Sequence, residues 1–192
     1  SGAANGIAMN MNTGSVVNGT IANVQVNVLG SVTSTTFGIA SSATLRLNGN
    51  CDNSIFTSAN GFTNNGVITL INSACNQVEQ IIVSSGTLTN NGTINLDIGG
   101  GTRDLAADIA NTATGVINVN YGNVAYVKTL TNAGTINIAS GTTFNIGAGG
   151  VVNHNGGVIN GPGSMAFTGA TANLNAAVSG AANGIVMNMN TC

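Results

Sequence analysis

Leu88-Thr89-Asn90-Asn91-Gly92-Thr93-Ile94-Asn95-Leu96 joins an Asn-Asn-Gly corner to a run in which apolar and polar residues alternate. Thr63-Asn64-Asn65-Gly66 and Thr131-Asn132-Ala133-Gly134 open comparable runs. A Gly-[Thr/Val]-Ile-[Asn/Thr] element begins at Gly66, Gly92, Gly115, Gly134 and Gly157, at spacings of 26, 23, 19 and 23 residues. Gly19-Thr20-Ile21 is a weaker relative upstream. Alternation at period two buries one face of a strand. It recurs between the copies in Val24-Gln25-Val26-Asn27-Val28, Leu45-Arg46-Leu47-Asn48 and Phe144-Asn145-Ile146. Asn-Gly pairs are expected to supply positive φ where the chain corners. A unit of about 20 to 25 residues cannot bury its own apolar side, so such units stack, and Ile, Val and Leu form ladders along an axis.

The fold expected is therefore all-β: a single domain over residues 1–192, built as a parallel β-helix (β-solenoid) of about eight to nine coils. At the ordinary strand spacing of about 4.8 Å the rod would be roughly 40 Å long. Corner Asn side chains are expected to hydrogen-bond from coil to coil. A β-sandwich or an open meander would also use many short strands, but a repeat at coil length favours the solenoid. One segment departs from the pattern. Thr102-Arg103-Asp104-Leu105-Ala106-Ala107-Asp108-Ile109-Ala110 carries much of the charge and spaces Leu105 and Ile109 like a helix. With Thr102 as a cap, a short helix or a projecting loop is expected near 102–110.

Composition narrows the function. Of 192 residues, 32 are Asn and 28 Gly, and only 4% are charged, against about 25% in an average protein. The net charge of −2 leaves no basic patch for nucleic acid. A chain that is 43% hydrophobic is not disordered. Its apolar runs fall well short of the ~18 residues that span a bilayer, so no transmembrane segment is expected. A nearly neutral, amide-rich surface favours association. No signal peptide opens the chain, which begins at Ser1 in mid-pattern and reads as a mature or excised segment.

The two ends match. Ser1–Thr13 reads SGAANGIAMNMNT and Ser179–Thr191 reads SGAANGIVMNMNT, differing only at Ala8 and Val186. Either the chain is one unit of a longer tandem repeat, or it is a subunit whose last coil resembles its first. The terminal coils of a solenoid expose unpaired strand edges unless capped, and no polar or helical cap is evident at either end. A head-to-tail contact does not close on itself and generates a filament. Ile7, Met9 and Met11 at one end, and Ile185, Met187 and Met189 at the other, are the candidate assembly residues.

Three cysteines are present. Cys51 and Cys75 lie 24 residues apart, about one coil. They are placed either to form a disulfide in an oxidising compartment or to stack as buried thiols. Cys192 is left over, either as an intermolecular crosslink or as a chain-end residue with no role.

Material for catalysis is thin. The single His, His154, sits in a corner sequence and reads as a turn residue rather than a general base. It cannot complete a Ser-His-Asp set with conviction, and no metal-ligand spacing occurs. The best acid/base cluster is Asp97, Arg103, Asp104 and Asp108, since polysaccharide-cleaving β-helices use paired carboxylates; a solvated local ion pair is the simpler reading. Thr87, Thr89, Thr93 and Thr135 are too irregular for an ice-binding array. Asn18-Gly19-Thr20 and Asn91-Gly92-Thr93 match the glycosylation pattern, as an Asn- and Thr-rich sequence will by accident. No catalytic, cofactor or metal site is expected.

Leu88–Leu96 and Leu130-Thr131-Asn132-Ala133-Gly134-Thr135-Ile136-Asn137-Ile138 resemble the repeats of bacterial autotransporter passengers and filamentous-haemagglutinin-type adhesins. The likeness covers about residues 60–160. It implies a right-handed parallel β-helix displayed outside the cell and acting in adhesion, aggregation or biofilm formation. The sequence departs from that family in its low charge, its duplication at an offset of 178 residues and its lack of a secretion domain or barrel segment. The expectation is an extracellular, non-enzymatic structural protein whose partner is itself, polymerised head to tail into a filament, sheath or coat. The alternative is an adhesin rod binding cell-surface or host glycans. A polysaccharide-active enzyme comes third.

Overall fold

The computed structural model describes residues 6–122, 124–178 and 186–190. The chain winds as a three-faced parallel β-helix, each coil laying one strand on each face. The first coil is β1 (Ala8–Met11), β2 (Ser15–Val16) and β3 (Gly19–Ile21). The second is β4 (Gln25–Val28), β5 (Ser31–Ser34) and β6 (Phe37–Ile39), and the third is β7 (Thr44–Leu47), β8 (Ser54–Ser58) and β9 (Phe62–Asn64). In the next two coils one long strand rounds the corner between faces two and three. These coils are β10 (Val67–Asn72) with β11 (Val78–Asn90), and β12 (Thr93–Gly99) with β13 (Thr102–Asn111). There follow β14 (Val116–Val119), β15 (Val124–Tyr126) and β16 (Thr129–Asn132), then β17 (Thr135–Ile138), β18 (Thr143–Ile146) and β19 (Val151–His154). The last full coil is β20 (Val158–Asn160), β21 (Ser164–Thr168) and β22 (Thr171–Leu174), and β23 (Val186–Asn190) lies beyond it.

Face one is an eight-stranded sheet in the order β1-β4-β7-β10-β12-β14-β17-β20, and faces two and three share a second sheet joined through β11 and β13. Every pairing among the described strands is parallel. From β1 to β20 the chain makes about seven turns, slightly fewer than the repeat suggests.

The repeated Gly-X-Ile-X element is the face-one strand of successive coils. Ile68, Ile94, Ile117, Ile136 and Ile159 stand in register, one above another. Leu45, Val26 and Met9 continue the column below them. The Ile members and Leu45 are at most 1% exposed, and full burial of such a side chain stabilises by about 1.5–3 kcal/mol. Phe37, Phe56 and Phe62 fill the lower interior, with ring centroids 4.6–6.0 Å apart.

The glycine that opens each element has a different reason than expected. Only Gly157 of the five has positive φ. At Gly92 a Cβ would lie 2.1 Å from the Gly66 carbonyl oxygen, and at Gly134 it would lie 2.3 Å from that of Gly115. Close approach between coils, not backbone handedness, requires glycine there.

The expected helix or loop near 102–110 is a correction. Residues 102–111 are β13, in register with β11, and Arg103, Leu105, Ala107, Ile109 and Asn111 point inward. Leu105 and Ile109 are four apart, a spacing shared by one helical turn and by two strand repeats. Arg103 at an inward position hid the alternation that would have decided between them.

Candidate functional site

The near-identical segments become the terminal strands of two different faces. On face one, β1 pairs with β4, setting Met9 opposite Val26 and Met11 opposite Val28. On face two, β23 pairs with β21, setting Met187 opposite Met165 and Met189 opposite Phe167. Each copy thus turns its two methionines toward the interior columns and the intervening Asn10 or Asn188 away from them. Met11 and Met187 pack against the core, whereas Met9 is 48% and Met189 61% exposed because nothing described lies beyond them. Ile7 is exposed beside β1. Ile185 and Cys192 lie outside the described residues.

Inside the rod, at the corner after face three, runs a column of amides. Asn64 Nδ2 donates to Asn90 Oδ1 (2.7 Å), Asn90 to Asn111 (2.8 Å) and Asn111 to Asn132 (2.7 Å). The second hydrogen of each donor has a backbone acceptor at Thr93, Val116 or Thr135, which fixes the direction of the chain of bonds. Asn132 Nδ2 meets His154 Nδ1 at 3.2 Å, so that ring nitrogen accepts, and Nε2 donates to the Ala177 carbonyl at 3.2 Å. All five side chains are at most 1% exposed. His154 is therefore the terminal member of a buried ladder, not a solvent-facing base. Outside, Asn95, Asn118 and Asn137 form a shorter ladder on face one, each link 2.8 Å.

The described chain holds one ion pair, and it is fully buried. Arg103 Nη1 lies 2.8 Å from Glu79 Oε2, and neither side chain is exposed. Glu79 sits directly below Arg103 in register, with Ser54 below it and Val124 above. Asn72 donates to Glu79 Oε1 at 2.8 Å and accepts from the backbone N–H of Cys75. Cys75 is disulfide-bonded to Cys51, with Cα atoms 4.9 Å apart. Arg103 also donates to the carbonyls of Asp97 (3.0 Å) and Gly100 (2.7 Å), and its Cζ lies 4.8 Å from the Tyr121 ring centroid. Gly99 makes room for this, since a Cβ there would lie 2.8 Å from Arg103 Nη2. Burial pushes the Glu79 carboxyl up to about 7, against the pull of Arg103 and then Asn72. Burial likewise lowers the Arg103 guanidinium, partly offset by Glu79.

Of the four residues of the charged sequence cluster only Asp97 and Arg103 meet, through the Asp97 carbonyl. Arg103 faces the interior. Asp104 lies on face two, where Gln80 donates to it, and burial raises its carboxyl. Asp108 lies on face three opposite Thr87 and accepts from the Thr129 N–H. Asp97 accepts from Asn120. Because 102–111 is a strand that rounds the corner, Asp104 and Asp108 lie on different faces and do not converge. Among the described residues no three His, Cys, Asp or Glu side chains gather as metal ligands, and no helix is long and apolar enough to cross a membrane.

Glu79 escaped the sequence reading. Its signal was available: Glu79 and Arg103 are 24 residues apart, the same interval as Cys51 and Cys75. No protein-family model, curated protein or solved structure matches the chain.

Proposed function

We propose that this chain is an extracellular structural protein that assembles end to end with copies of itself into a filament, sheath or surface coat, and that it is not an enzyme. One observation carries the reading: the same Met-Asn-Met strand supplies a terminal rung near each end of the rod, with methionines left exposed. Exposed strand edges of this kind template pairing with another chain, and a head-to-tail joint propagates rather than closes. A surface with few charges offers little repulsion between copies. The disulfide fits an oxidising location outside the cell, and Cys192 supplies a thiol for covalent joints.

A second reading, an adhesin rod for cell-surface glycans, is favoured by the half-buried outward amides of Asn95, Asn118 and Asn137. The repeat resemblance to secreted adhesins supports it too. Electron microscopy with and without reductant separates the two. Long fibres with an axial repeat near one subunit length are expected, and their loss in reductant would assign the joints to disulfides. Dispersed short rods under both conditions would refute assembly and leave the adhesin.

A further inference from the structure

We propose that the edge of β21 now covered by β23 is the docking site for the first strand of a second copy of this chain, and that β23 is a built-in stand-in for that strand. The inference rests on the end-to-end reading and specifies its joint. In the structure β21 already holds a Met-Asn-Met strand: Ser164 pairs with Val186, Met165 with Met187, Ala166 with Asn188 and Phe167 with Met189. Residues 8–11 of another copy present the same sequence except for Ala8 in place of Val186. Both of those positions are exposed, so the difference removes no core contact.

The geometry permits the exchange. Among the described residues of its own copy β1 pairs through one edge only, with β4. It is parallel to β4, as β23 is to β21, so its free edge can take β21 while β4 stays in place. Methionine is unbranched and fills irregular gaps. The same pair already packs opposite Val26 and Val28 in one setting and opposite Met165 and Phe167 in the other. The docked strand belongs to face one of the incoming copy but lies on face two of the receiving copy. Successive copies are therefore turned by one face. That turn carries β2 of the incoming copy to face three, toward the edge of β22, where Leu174 is 47% exposed. Because β23 is tethered, it competes at high effective concentration. Assembly is then slow to start and sensitive to anything that loosens β23.

Cysteine pairs test this joint against a straight stack. Neighbouring coils bring Cα atoms close enough for a disulfide, as Cys51 and Cys75 do at 4.9 Å. In a Cys192→Ser background, Ala8→Cys protein is mixed with Ser164→Cys protein, and separately with Val158→Cys protein, under mild oxidation. The turned joint places residue 8 opposite residue 164. A straight stack places it opposite residue 158, the top of its own column. The expected result is an 8–164 dimer at least about tenfold above the 8–158 dimer, a preference of about 1.4 kcal/mol. Adding Met187→Asp and Met189→Asp to the Ser164→Cys protein should raise the yield by loosening the stand-in. Predominance of 8–158, or fibres with neither crosslink, overturns the turned joint and leaves end-to-end assembly standing. An 8–164 dimer that never extends to fibres supports the joint and refutes the filament. Neither crosslink and no fibres refutes both.

Discussion

Replacing Arg103 by Met would convert a paired interior charge into an unpaired one. The variant loses three hydrogen bonds, to Glu79 Oε2, the Asp97 carbonyl and the Gly100 carbonyl, while Glu79 keeps Asn72 and the backbone N–H groups of Gly49 and of Glu79 itself but no charged partner. Removing one partner of a buried pair costs about 3–5 kcal/mol when the other stays ionised. For a chain of this size each kcal/mol moves the melting temperature by about 2–4 °C, so the loss is roughly 6–20 °C. The loss must depend on pH. The Glu79 carboxyl is raised from 4.5 in the unfolded chain to about 7 in the fold. Between those values the native state holds the extra proton, so its contribution to stability is greatest below 4.5 and falls as pH rises toward 7. Without Arg103 the carboxyl rises further, and the decline extends to higher pH. Near pH 5 Glu79 is protonated, so the unpaired-charge cost drops out and only the two orphaned carbonyls remain to be counted. Thermal melts of both proteins near pH 5 and pH 9 give the two differences. Glu79→Met with Arg103→Met should recover most of the loss, because an apolar pair needs no compensation. An equal cost at both pH values, or a double variant as unstable as Arg103→Met alone, would refute the coupling.

Ile94→Asp or Ile136→Asp should abolish folding, because either puts a lone carboxylate into a column with no exposure; unchanged far-ultraviolet circular dichroism and melting point would contradict the inward placement. Asn111→Ala leaves the Asn90 donor and the Asn132 acceptor unmatched and should cost about 2–6 kcal/mol in urea unfolding, at about 1–3 kcal/mol per stranded group. Replacing both Cys51 and Cys75 by Ala should destabilise by about 3 kcal/mol through the entropy of the 24-residue loop, read from the shift of the urea midpoint. Tyr126, whose hydroxyl donates to the Ala107 carbonyl, is raised above its usual range chiefly by burial. The native state keeps that proton when the unfolded state loses it, so stability should fall as pH climbs above about 10, and Tyr126→Phe should flatten that decline.

The sequence by itself determined that the chain is a parallel solenoid. Local alternation together with a repeat at coil length leaves one way to bury Ile68, Ile94, Ile117, Ile136 and Ile159, which is to stack them. It also placed amides at corners, where stacked coils set them within reach of one another and of the backbone. What it left open are matters of angle and neighbour. A spacing of four cannot separate a strand from a helix, so β13 needed the coils above and below it to be recognised. Glycine at the element start looks the same whether it serves φ or clearance, and only the carbonyl of the coil beneath Gly92 decides. Glu79 and Arg103 are ordinary surface residues until register sets one over the other in a dry interior. The two Met-Asn-Met strands are alike as sequence, yet one lies on face one and the other on face two. The face a strand occupies depends on the sum of every corner length before it, a quantity that accumulates along the rod and is set only in three dimensions.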